Sequence, residues 1–305
     1  MHKSPVHIIV ATLVPVLMGT LLGAARCGAG SGGDARAAER VDSTFRAPQR
    51  VTIRGYGGVT MEPFVTREGR WLLFNNANDP AEATELHYAR LVDPLTAEYR
   101  GSLRGANAAG ALDGVPTVDR DGTLYFVSTR SYATTLSTLY RGRFADGAVS
   151  EVALVPGIPR RRGTVVFDVE ASADGSALYY ASGEFRGGPV PESADLAIAV
   201  RRGAVFVPWE RSAEVLTRVN TPDALEYAAA LSADGLELYF TRLRGRDAAI
   251  YRATRPRPDA PFEAPARVGA ITGFVEAPTL SPDGRSLYYH ARAGNGFAIY
   301  RVTRP

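Results

Sequence analysis

Residues 275–304 read VEAPTLSPDGRSLYYHARAGNGFAIYRVTR. A short apolar run leads into a Pro-Asp-Gly turn, an alternating aromatic run follows, and a glycine-rich turn precedes a third alternating run. Asp-Gly between two alternating hydrophobic segments is a strong hairpin signal, because the turn requires residues that tolerate a positive φ angle. The stretch therefore predicts a meander of three antiparallel strands.

The same meander occurs four more times upstream. Its turn glycines are separated by 53, 53, 60 and 49 residues, and they are Gly69, Gly122, Gly175, Gly235 and Gly284. Repeats of this length that each supply about four strands are typical of β-propellers. We predict an all-β protein, a five-bladed β-propeller with four-stranded antiparallel blades.

The fifth blade lacks an outer strand of its own, because the sequence ends directly behind its third strand. Residues 44–51 (TFRAPQRV) echo residues 261–268 (PFEAPARV), which form the predicted outer strand of blade 4. We therefore expect residues 44–54 to pair beside residues 297–303 and to close the ring. Closure of this kind removes two open sheet edges, which would otherwise promote aggregation.

The repeat carries a family resemblance. The motif S-P-D-G-x-x-L-Y-Y followed by I-Y-R resembles the WD-like repeat of the TolB-type β-propellers, from residue 44 to the end of the chain. The last copy matches best and the first copy, with Arg67-Glu68-Gly69, matches least. The resemblance implies the fold, but propellers host both binding modules and enzymes, so it does not decide the function.

Composition excludes several classes of protein. Five units of roughly 50 residues use nearly all of the chain, which leaves no room for a second domain. A formal net charge of +3 over 305 residues argues against a dedicated nucleic-acid binder. Cys27 is the only cysteine, so neither an internal disulfide nor a thiolate metal cluster can form. We expect a monomer.

Residues 1–27 are typical of a secretory signal, with a basic start, an apolar run at 6–22 and small residues after it. A membrane anchor is the alternative, because the apolar run is close to the length that spans a bilayer. Cys27 resembles the lipid-modified cysteine of bacterial lipoproteins, although Arg26 replaces the small residue of such signals. Ordinary cleavage after Ala25 or Ala29 is the other interpretation.

Residues 28–43 are rich in glycine, alanine and charged residues and predict a flexible tether, followed by the propeller at 44–305. The protein is therefore expected in the periplasm or outside the cell. Any contact with a membrane would go through an N-terminal lipid or an uncleaved signal.

Each repeat places one acidic residue before or at the start of its innermost strand. These lie 7, 9, 7, 9 and 8 residues before the turn glycine, and they are Glu62, Asp113, Asp168, Glu226 and Glu276. Four of the five share a parity and would point to the same side of a strand. We therefore predict that the five carboxylates crowd one mouth of the central channel. The candidate counter-charges at the ends of second strands are Arg130, Arg242 and Arg292, with His290 near the same mouth.

Carboxylates at such a mouth must be separated, neutralised or paired, since like charges raise one another's pKa. Ion pairs that join neighbouring blades are one interpretation. A bound Ca²⁺, which takes six to eight oxygen ligands, is a second. A histidine metal site is not expected, because the sequence has neither an H-E-x-x-H motif nor a histidine cluster.

Catalysis is the third interpretation. Glu62-Pro63 resembles the Asp-Pro opening of the first blade of the family 43 glycoside hydrolases, which are five-bladed, and Glu276-Ala277-Pro278 resembles their Glu-Gly-Pro acid motif. The resemblance implies Glu62 as the base, Asp168 as the pKa modulator and Glu276 as the acid of glycan hydrolysis. The sequence departs from that family in three ways: Glu62 replaces the usual Asp, the acid lies in the fifth blade instead of the third, and the S-x-D-G turns belong to the TolB-type repeat.

We thus predict an exported binding or scaffolding module of the bacterial cell envelope and favour this over an enzyme, without deciding between them. Its partner, a protein or a glycan, would engage the acidic mouth and the loops around it. A glycan-active enzyme and a purely structural envelope protein are the alternatives.

Overall fold

A computed structural model describes residues 39–78, 83–186 and 190–305 of the chain. Five small sheets form the predicted five-bladed propeller, and each sheet contributes its innermost strand to the wall of a central channel. Each of these innermost strands contacts the innermost strands of the two neighbouring blades, including the last with the first. The all-β fold class is confirmed.

Strands and helices are numbered along the chain, beginning with β1 (Val41–Asp42), β2 (Arg46–Arg50) and β3 (Thr52–Arg54). Blade 1 contains β4 (Met61–Val65), β5 (Trp71–Asn75), β6 (Leu86–Asp93) and β7 (Thr96–Ser102). Blade 2 contains β8 (Asp113–Val118), β9 (Thr123–Ser128), α1 (Tyr132–Thr135), β10 (Leu139–Ala145) and β11 (Ala148–Leu154).

Blade 3 contains β12 (Thr164–Ala171), β13 (Ala177–Glu184), β14 (Ser193–Arg202) and β15 (Val205–Pro208), and α2 (Ser212–Val215) follows it. Blade 4 contains β16 (Leu225–Leu231), β17 (Glu237–Arg244), β18 (Asp247–Thr254) and β19 (Ala266–Val268). Blade 5 contains β20 (Val275–Leu280), β21 (Ser286–Ala293) and β22 (Gly296–Thr303).

The turn that joins the first two strands of blade 5 has the predicted chemistry. Gly284 has a φ of 68°, a backbone conformation that residues with a Cβ atom rarely adopt. Asp283 Oδ1 accepts hydrogen bonds from Ser281 Oγ at 2.5 Å and from the Arg285 N–H at 3.0 Å. The aspartate thus holds the turn by bonding a backbone N–H two residues further on.

The N-terminal segment closes the ring in blade 5, as predicted. β2 pairs antiparallel with β22, and Arg50 lies opposite Tyr300. The single strand predicted over residues 44–54 is nevertheless wrong in its extent, because the segment divides after β2. β3 pairs parallel with β7 of blade 1, and β1, in the predicted tether, pairs parallel with β19 of blade 4. Three blades therefore take a strand from the N-terminal segment.

Tyrosines on the second strands join neighbouring blades. The hydroxyl of Tyr125 accepts a hydrogen bond from Arg201 of blade 3 at 2.6 Å, and that of Tyr179 accepts one from Arg255 of blade 4 at 3.0 Å. Tyr239 accepts one from Arg304 of blade 5 at 3.3 Å. Each arginine lies at the end of the third strand of its blade. The same contact therefore occurs at three of the boundaries between blades.

The predicted signal, Cys27 and most of the tether lie outside the described residues. In the part of the chain that the structure describes, no helix is long and apolar enough to cross a membrane.

A chain that begins at residue 58 should expose β22, because β2 supplies its outer hydrogen-bond partner. We expect faster amide hydrogen exchange in residues 297–303 of blade 5. The same chain also lacks β3, so β7 of blade 1 should exchange faster as well. Peptide-resolved hydrogen exchange measures both effects.

A chain that begins at residue 44 is the matched control, since it lacks β1 but keeps β2 and β3. Its additional exchange should be confined to β19 of blade 4. Unchanged protection of residues 297–303 in the shorter chain would contradict the closure.

Candidate functional site

The innermost strands share an unusual backbone position. In four blades the residue seven before the turn glycine has a positive φ of 48–55°, and these residues are Glu62, Val115, Ala228 and Ala277. Each lies where the register between the first two strands of its blade shifts, which marks a β-bulge. A bulge interrupts the alternation of side chains along a strand, so parity along the sequence does not decide which acidic residues share a face.

Each bulge also leaves a backbone N–H outside the ladder of its own sheet, and a side chain of the preceding blade accepts it. Glu62 Oε2 of blade 1 accepts the N–H of Val115 at 3.2 Å, and Asp168 of blade 3 accepts that of Ala228. The other two bonds follow the same pattern, from Ala277 to Thr241 Oγ1 at 3.0 Å and from Glu62 to His290 Nδ1 at 3.0 Å. At four of the five boundaries between blades, a side chain of one blade therefore accepts a backbone N–H of the next blade.

Two of the five predicted carboxylates pair within their own blades. Asp113 Oδ1 lies 2.7 Å from Arg130 Nη2, and Glu226 Oε1 lies 2.7 Å from Arg242 Nε. Arg130 and Arg242 are two of the predicted counter-charges. Both carboxylates are completely buried. Glu226 also accepts the N–H and the hydroxyl of Thr221, so this ion pair fixes the loop that enters blade 4.

The prediction of a ring of five carboxylates is therefore wrong, because the cluster contains three: Glu62, Asp168 and Glu276. The charges of Glu62 and Glu276 act on the pKa of Asp168, whereas those of Asp113 and Glu226 do not. The reason is the bulge. The bulge places the side chains seven and eight residues before the turn glycine, those of Glu62, Asp168 and Glu276, on one face of the strand. The side chains nine residues before it, those of Asp113 and Glu226, then point to the other face.

Arg292 does not pair with a carboxylate in the described part of the chain, contrary to prediction. It is exposed, and its guanidinium lies 5.9 Å from the centre of the Phe274 ring. His290 takes the expected place beside Glu276, with Nε2 at 3.2 Å from Glu276 Oε2. Because His290 Nδ1 accepts the Glu62 N–H, the ring proton lies on Nε2 and is donated to Glu276.

Tyr227 completes the surroundings of Glu276. Its hydroxyl donates to Glu276 Oε1, so both oxygens of this carboxylate accept hydrogen bonds. Burial raises the pKa of Tyr227 well above its usual value, and the nearby carboxylates add to the effect, so the hydroxyl keeps its proton. The sequence analysis missed Tyr227, although it occupies in blade 4 the position that Glu276 occupies in blade 5, eight before the turn glycine.

Glu62 is held by its own blade and by the next one. Oε1 accepts a hydrogen bond from Asn78 Nδ2 at 2.5 Å, in addition to the bond from the Val115 N–H to Oε2. Burial raises the pKa of the Glu62 carboxyl, and the charge of Glu276 adds to this, whereas His290 and Asn78 oppose it. Asn78 follows β5, and nothing in the repeat pattern indicates it.

Asp168 has the most perturbed environment of the three. Its side chain is buried, and a single backbone N–H, from Ala228, supports its charge. Burial raises the pKa of Asp168 well above its usual value, and the charges of Glu62 and Glu276 raise it further. The cluster therefore combines a carboxyl that favours the protonated form with Glu276, whose two oxygens act as acceptors.

A third buried ion pair lies toward the opposite end of the innermost strands. Arg67 Nη2 of blade 1 lies 2.9 Å from Glu170 Oε1 of blade 3, and Arg67 Nε donates to the Val118 carbonyl of blade 2 at 3.2 Å. Thr117 Oγ1 donates to Glu170 Oε2 at 2.7 Å. One guanidinium thus links three blades, and Glu170 is the only charged residue at its position in the five repeats.

Little space remains between the two ends. A cavity of about 30 Å³ lies along the innermost strands and is lined by Glu62, Asp168, Glu170 and by proline, alanine, valine, phenylalanine and threonine side chains. Small-molecule sites usually enclose ~300–1,000 Å³, whereas a space of this size accommodates about one or two waters. Among the described residues, this cavity beside Glu62 and Asp168 is too small for a sugar ring.

The carboxylates do not form an evident cation site. Among the described residues, no group of three or more His, Cys, Asp or Glu side chains is arranged to hold a metal ion. The expectation of Ca²⁺ stays a prediction.

Comparison with known proteins establishes the fold alone. No model of a protein family matches the chain, and no curated protein matches it. A solved family 117 glycoside hydrolase from Zobellia galactanivorans is 11% identical and has a TM-score of 0.57, with 85% of this chain and 90% of that chain covered. The shared architecture is a five-bladed propeller.

Two further structures correspond to the families that the sequence resembles. A thermostable family 43 glycoside hydrolase is 13% identical, with 83% of this chain and 92% of that chain covered and a TM-score of 0.49. TolB from Acinetobacter baumannii is 16% identical, with 81% of this chain and 54% of that chain covered and a TM-score of 0.44. The chain thus spans about half the length of this TolB protein.

Replacing Asp168 by Asn tests the electrostatics of the channel. The folded-state pKa of Asp168 lies above its unfolded value, so the folded protein holds this proton more tightly. The resulting stabilisation is present below the unfolded pKa of about 3.9 and is lost as the pH rises through the folded pKa. Asn keeps an acceptor for Ala228 but does not titrate. Its melting temperature should therefore exceed that of the wild type at pH 8, and the difference should shrink toward pH 4.

Asp168→Ala is the matched control, because it removes the acceptor together with the charge. It should leave the Ala228 N–H unsatisfied and be about 1–3 kcal/mol less stable than Asp168→Asn at every pH. Each kcal/mol corresponds to roughly 2–4 °C in melting temperature for a domain near this size. A difference between Asp168→Asn and wild type that does not depend on pH would show that Asp168 is ionised throughout.

Proposed function

We propose that the chain is a binding or scaffolding module of the bacterial cell envelope, and that its partner contacts the mouth of the propeller from outside. The observation that carries this proposal is that the channel carboxylates already accept hydrogen bonds from other groups of the protein. Glu62 and Asp168 accept the bulge N–H groups of the next blades, and Glu276 accepts Tyr227 and His290. These groups are thus already engaged in hydrogen bonds that support the ring, and the cavity beside them among the described residues measures about 30 Å³.

The loops at this end of the propeller include a group of exposed arginines. Arg160, Arg161 and Arg162 are exposed in the loop that enters β12, and Arg292 is exposed at the end of blade 5. Only Arg161 lies near a described carboxylate, that of Glu184 at 4.0 Å. A rim with unpaired arginines favours a partner that presents anionic groups, either an acidic glycan or an acidic protein surface.

The location in the cell envelope rests on the N-terminal sequence. A basic start, an apolar run and Cys27 support export with or without a lipid anchor.

Glycan hydrolysis is the second candidate, and one observation favours it. The three carboxylates that the resemblance to family 43 glycoside hydrolases implies are the three that cluster in the channel. The surroundings of Asp168 and Glu276, however, fit the opposite roles from those that the resemblance implies. Asp168, with its raised pKa, is suited to hold the proton of a general acid, whereas both oxygens of Glu276 accept hydrogen bonds. Hydrolysis would also require the channel to open.

Glu276→Gln separates the two candidates. If Glu276 only supports the ring, the variant loses an ionic acceptor, should be about 1–3 kcal/mol less stable, and neither protein should release reducing sugar from polysaccharides. Thermal unfolding with Ca²⁺ and with chelator, beside a reducing-sugar screen, measures these effects. A shift with Ca²⁺ in the wild type that Glu276→Gln abolishes would support the calcium interpretation.

Glu226→Gln is the matched control, since it removes a buried carboxylate that lies outside the cluster. It should destabilise the protein without any effect on sugar release. Wild-type sugar release that disappears in Glu276→Gln without a change in melting temperature would overturn the binding proposal in favour of catalysis.

The rim can be tested separately from the channel. Replacing Arg160 and Arg162 by Ser should weaken the retention of the protein on an immobilised polyuronate and reduce the salt dependence of that retention. The melting temperature should not change, because both side chains are exposed. Equal retention of the variant and the wild type, or no retention of the wild type at low salt, would contradict an anionic partner at this rim.

A further inference from the structure

A second cavity lies between blades 3 and 4, near the turns that join their first two strands. Its volume is about 300 Å³, ten times that of the channel cavity and within the range of sites for small molecules. Its walls include the apolar or aromatic side chains of Ala177, Tyr179, Ile198, Val200 and Trp209. The cavity is therefore large enough for a ligand with an apolar body.

Arg255 of blade 4 lines this cavity and is incompletely bonded. Its side chain is more than nine-tenths buried. Nε donates to the Gly235 carbonyl at 2.7 Å, and Nη2 donates to the Tyr179 hydroxyl at 3.0 Å. Nη1 is buried and has no hydrogen-bond partner among the described residues. A buried guanidinium nitrogen without an acceptor is rare, because its desolvation is not compensated.

The next boundary between blades contains the same arginine with its partner present. Arg304 of blade 5 occupies the position of Arg255, since its Nε likewise donates to the carbonyl of its own turn glycine, Gly284. It also reaches Tyr239, the equivalent of Tyr179. Here, however, Glu237 accepts Arg304 Nη1 at 2.9 Å and Nη2 at 2.7 Å. The carboxylate of Glu237 supplies what Arg255 lacks.

The repeat identifies what replaces that carboxylate in blade 3. Glu237 lies two residues after the turn glycine and two before the tyrosine, and the residue at this position in blade 3 is Ala177. Arg252, which also pairs with Glu237, lies opposite Tyr239, whereas Ile198 lies opposite Tyr179. Blade 3 thus has two small or apolar side chains where blade 4 has an ion pair, and the cavity occupies the space.

We propose that this cavity binds a monocarboxylate with an aromatic or aliphatic body. The ligand's carboxylate takes the place of the Glu237 carboxylate and accepts from Arg255 Nη1, while its body packs against Ile198, Val200 and Trp209. Nη1 is shielded from water in the unliganded protein, so binding includes a rotation of the guanidinium toward the cavity, away from its position 4.3 Å from the centre of the Phe262 ring. This site is separate from the channel and does not depend on the proposed function.

Charged groups at the rim of the cavity favour a single negative charge on the ligand. Arg120 lines the cavity and is exposed, so it adds a second positive charge. Asp174 and Asp234 also line it, and each holds its own turn through Oδ1. Their negative charges at the rim disfavour ligands with two or more carboxylates, whereas the buried Arg255 selects for one.

Titration calorimetry with 3-phenylpropanoate tests the site, and 3-phenylpropanamide is the neutral control. We expect one binding site per chain and at least tenfold weaker binding of the amide. Ala177→Glu should place an internal carboxylate beside Arg255, abolish binding and raise the melting temperature. Ala177→Gln fills the cavity equally and should abolish binding without that rise.

Trp209→Ala provides a test that leaves Arg255 and its hydrogen bonds intact. It should weaken the binding of 3-phenylpropanoate at least fivefold, because it removes part of the apolar wall. Equal affinity for the acid and the amide, no binding of either, or unchanged binding by both Ala177→Glu and Trp209→Ala would overturn the proposal.

Discussion

The propeller depends on hydrogen bonds that cross the boundaries between its blades inside the channel. Bulges in four innermost strands turn a backbone N–H away from the ladder, and a buried N–H without an acceptor costs about 1–3 kcal/mol. Side chains of the preceding blade accept these groups, from His290, Glu62, Asp168 and Thr241. The bulge and its acceptor together determine how closely adjacent blades approach, so the acidic residues of the channel belong first to the architecture.

This arrangement brings three acidic side chains close together, two of them buried. Glu62 and Asp168 have raised pKa values because they are buried near each other and near Glu276. The hydrogen-bond donors Tyr227 and His290 stabilise the carboxylate of Glu276. A site that is crowded and internally bonded in this way is better suited to hold a rigid ring than to turn over a substrate. The proposed binding sites accordingly lie at the rim and between blades, outside this cluster.

The fold could be predicted from the sequence because a turn glycine followed by an apolar, aromatic-containing strand recurs in every blade. The closure by β2 was also predictable, since residues 44–51 repeat an outer strand of blade 4. β1 and β3 were not, because strands of two and three residues in parallel pairs carry no alternating pattern. In the channel, counting from the turn glycine identified Glu62, Asp168 and Glu276. The bulge then removed Asp113 and Glu226 from the cluster, and no pattern of alternation could have revealed this.

Contacts between blades were the least predictable feature. The contacts of Tyr227 and Arg67 depend on which blades adjoin across the channel, and only the closed ring determines this. Comparison of the repeats does reveal some of these contacts. Ala177 and Glu170 differ from the residues at the same positions in the other blades, and each marks a place where the ring departs from symmetry. An internal repeat therefore indicates its own exceptions once the structure has aligned the copies.

Residue-resolved amide hydrogen exchange tests the central claim most directly. The bulge amides of Glu62, Val115, Ala228 and Ala277 lie outside the sheet ladders, yet each has a side-chain acceptor in the preceding blade. If these bonds hold the ring together, the four amides should exchange as slowly as their ladder-bonded neighbours in the same strands. Exchange at the rate of exposed loop amides, with the neighbouring strand amides still protected, would contradict the account.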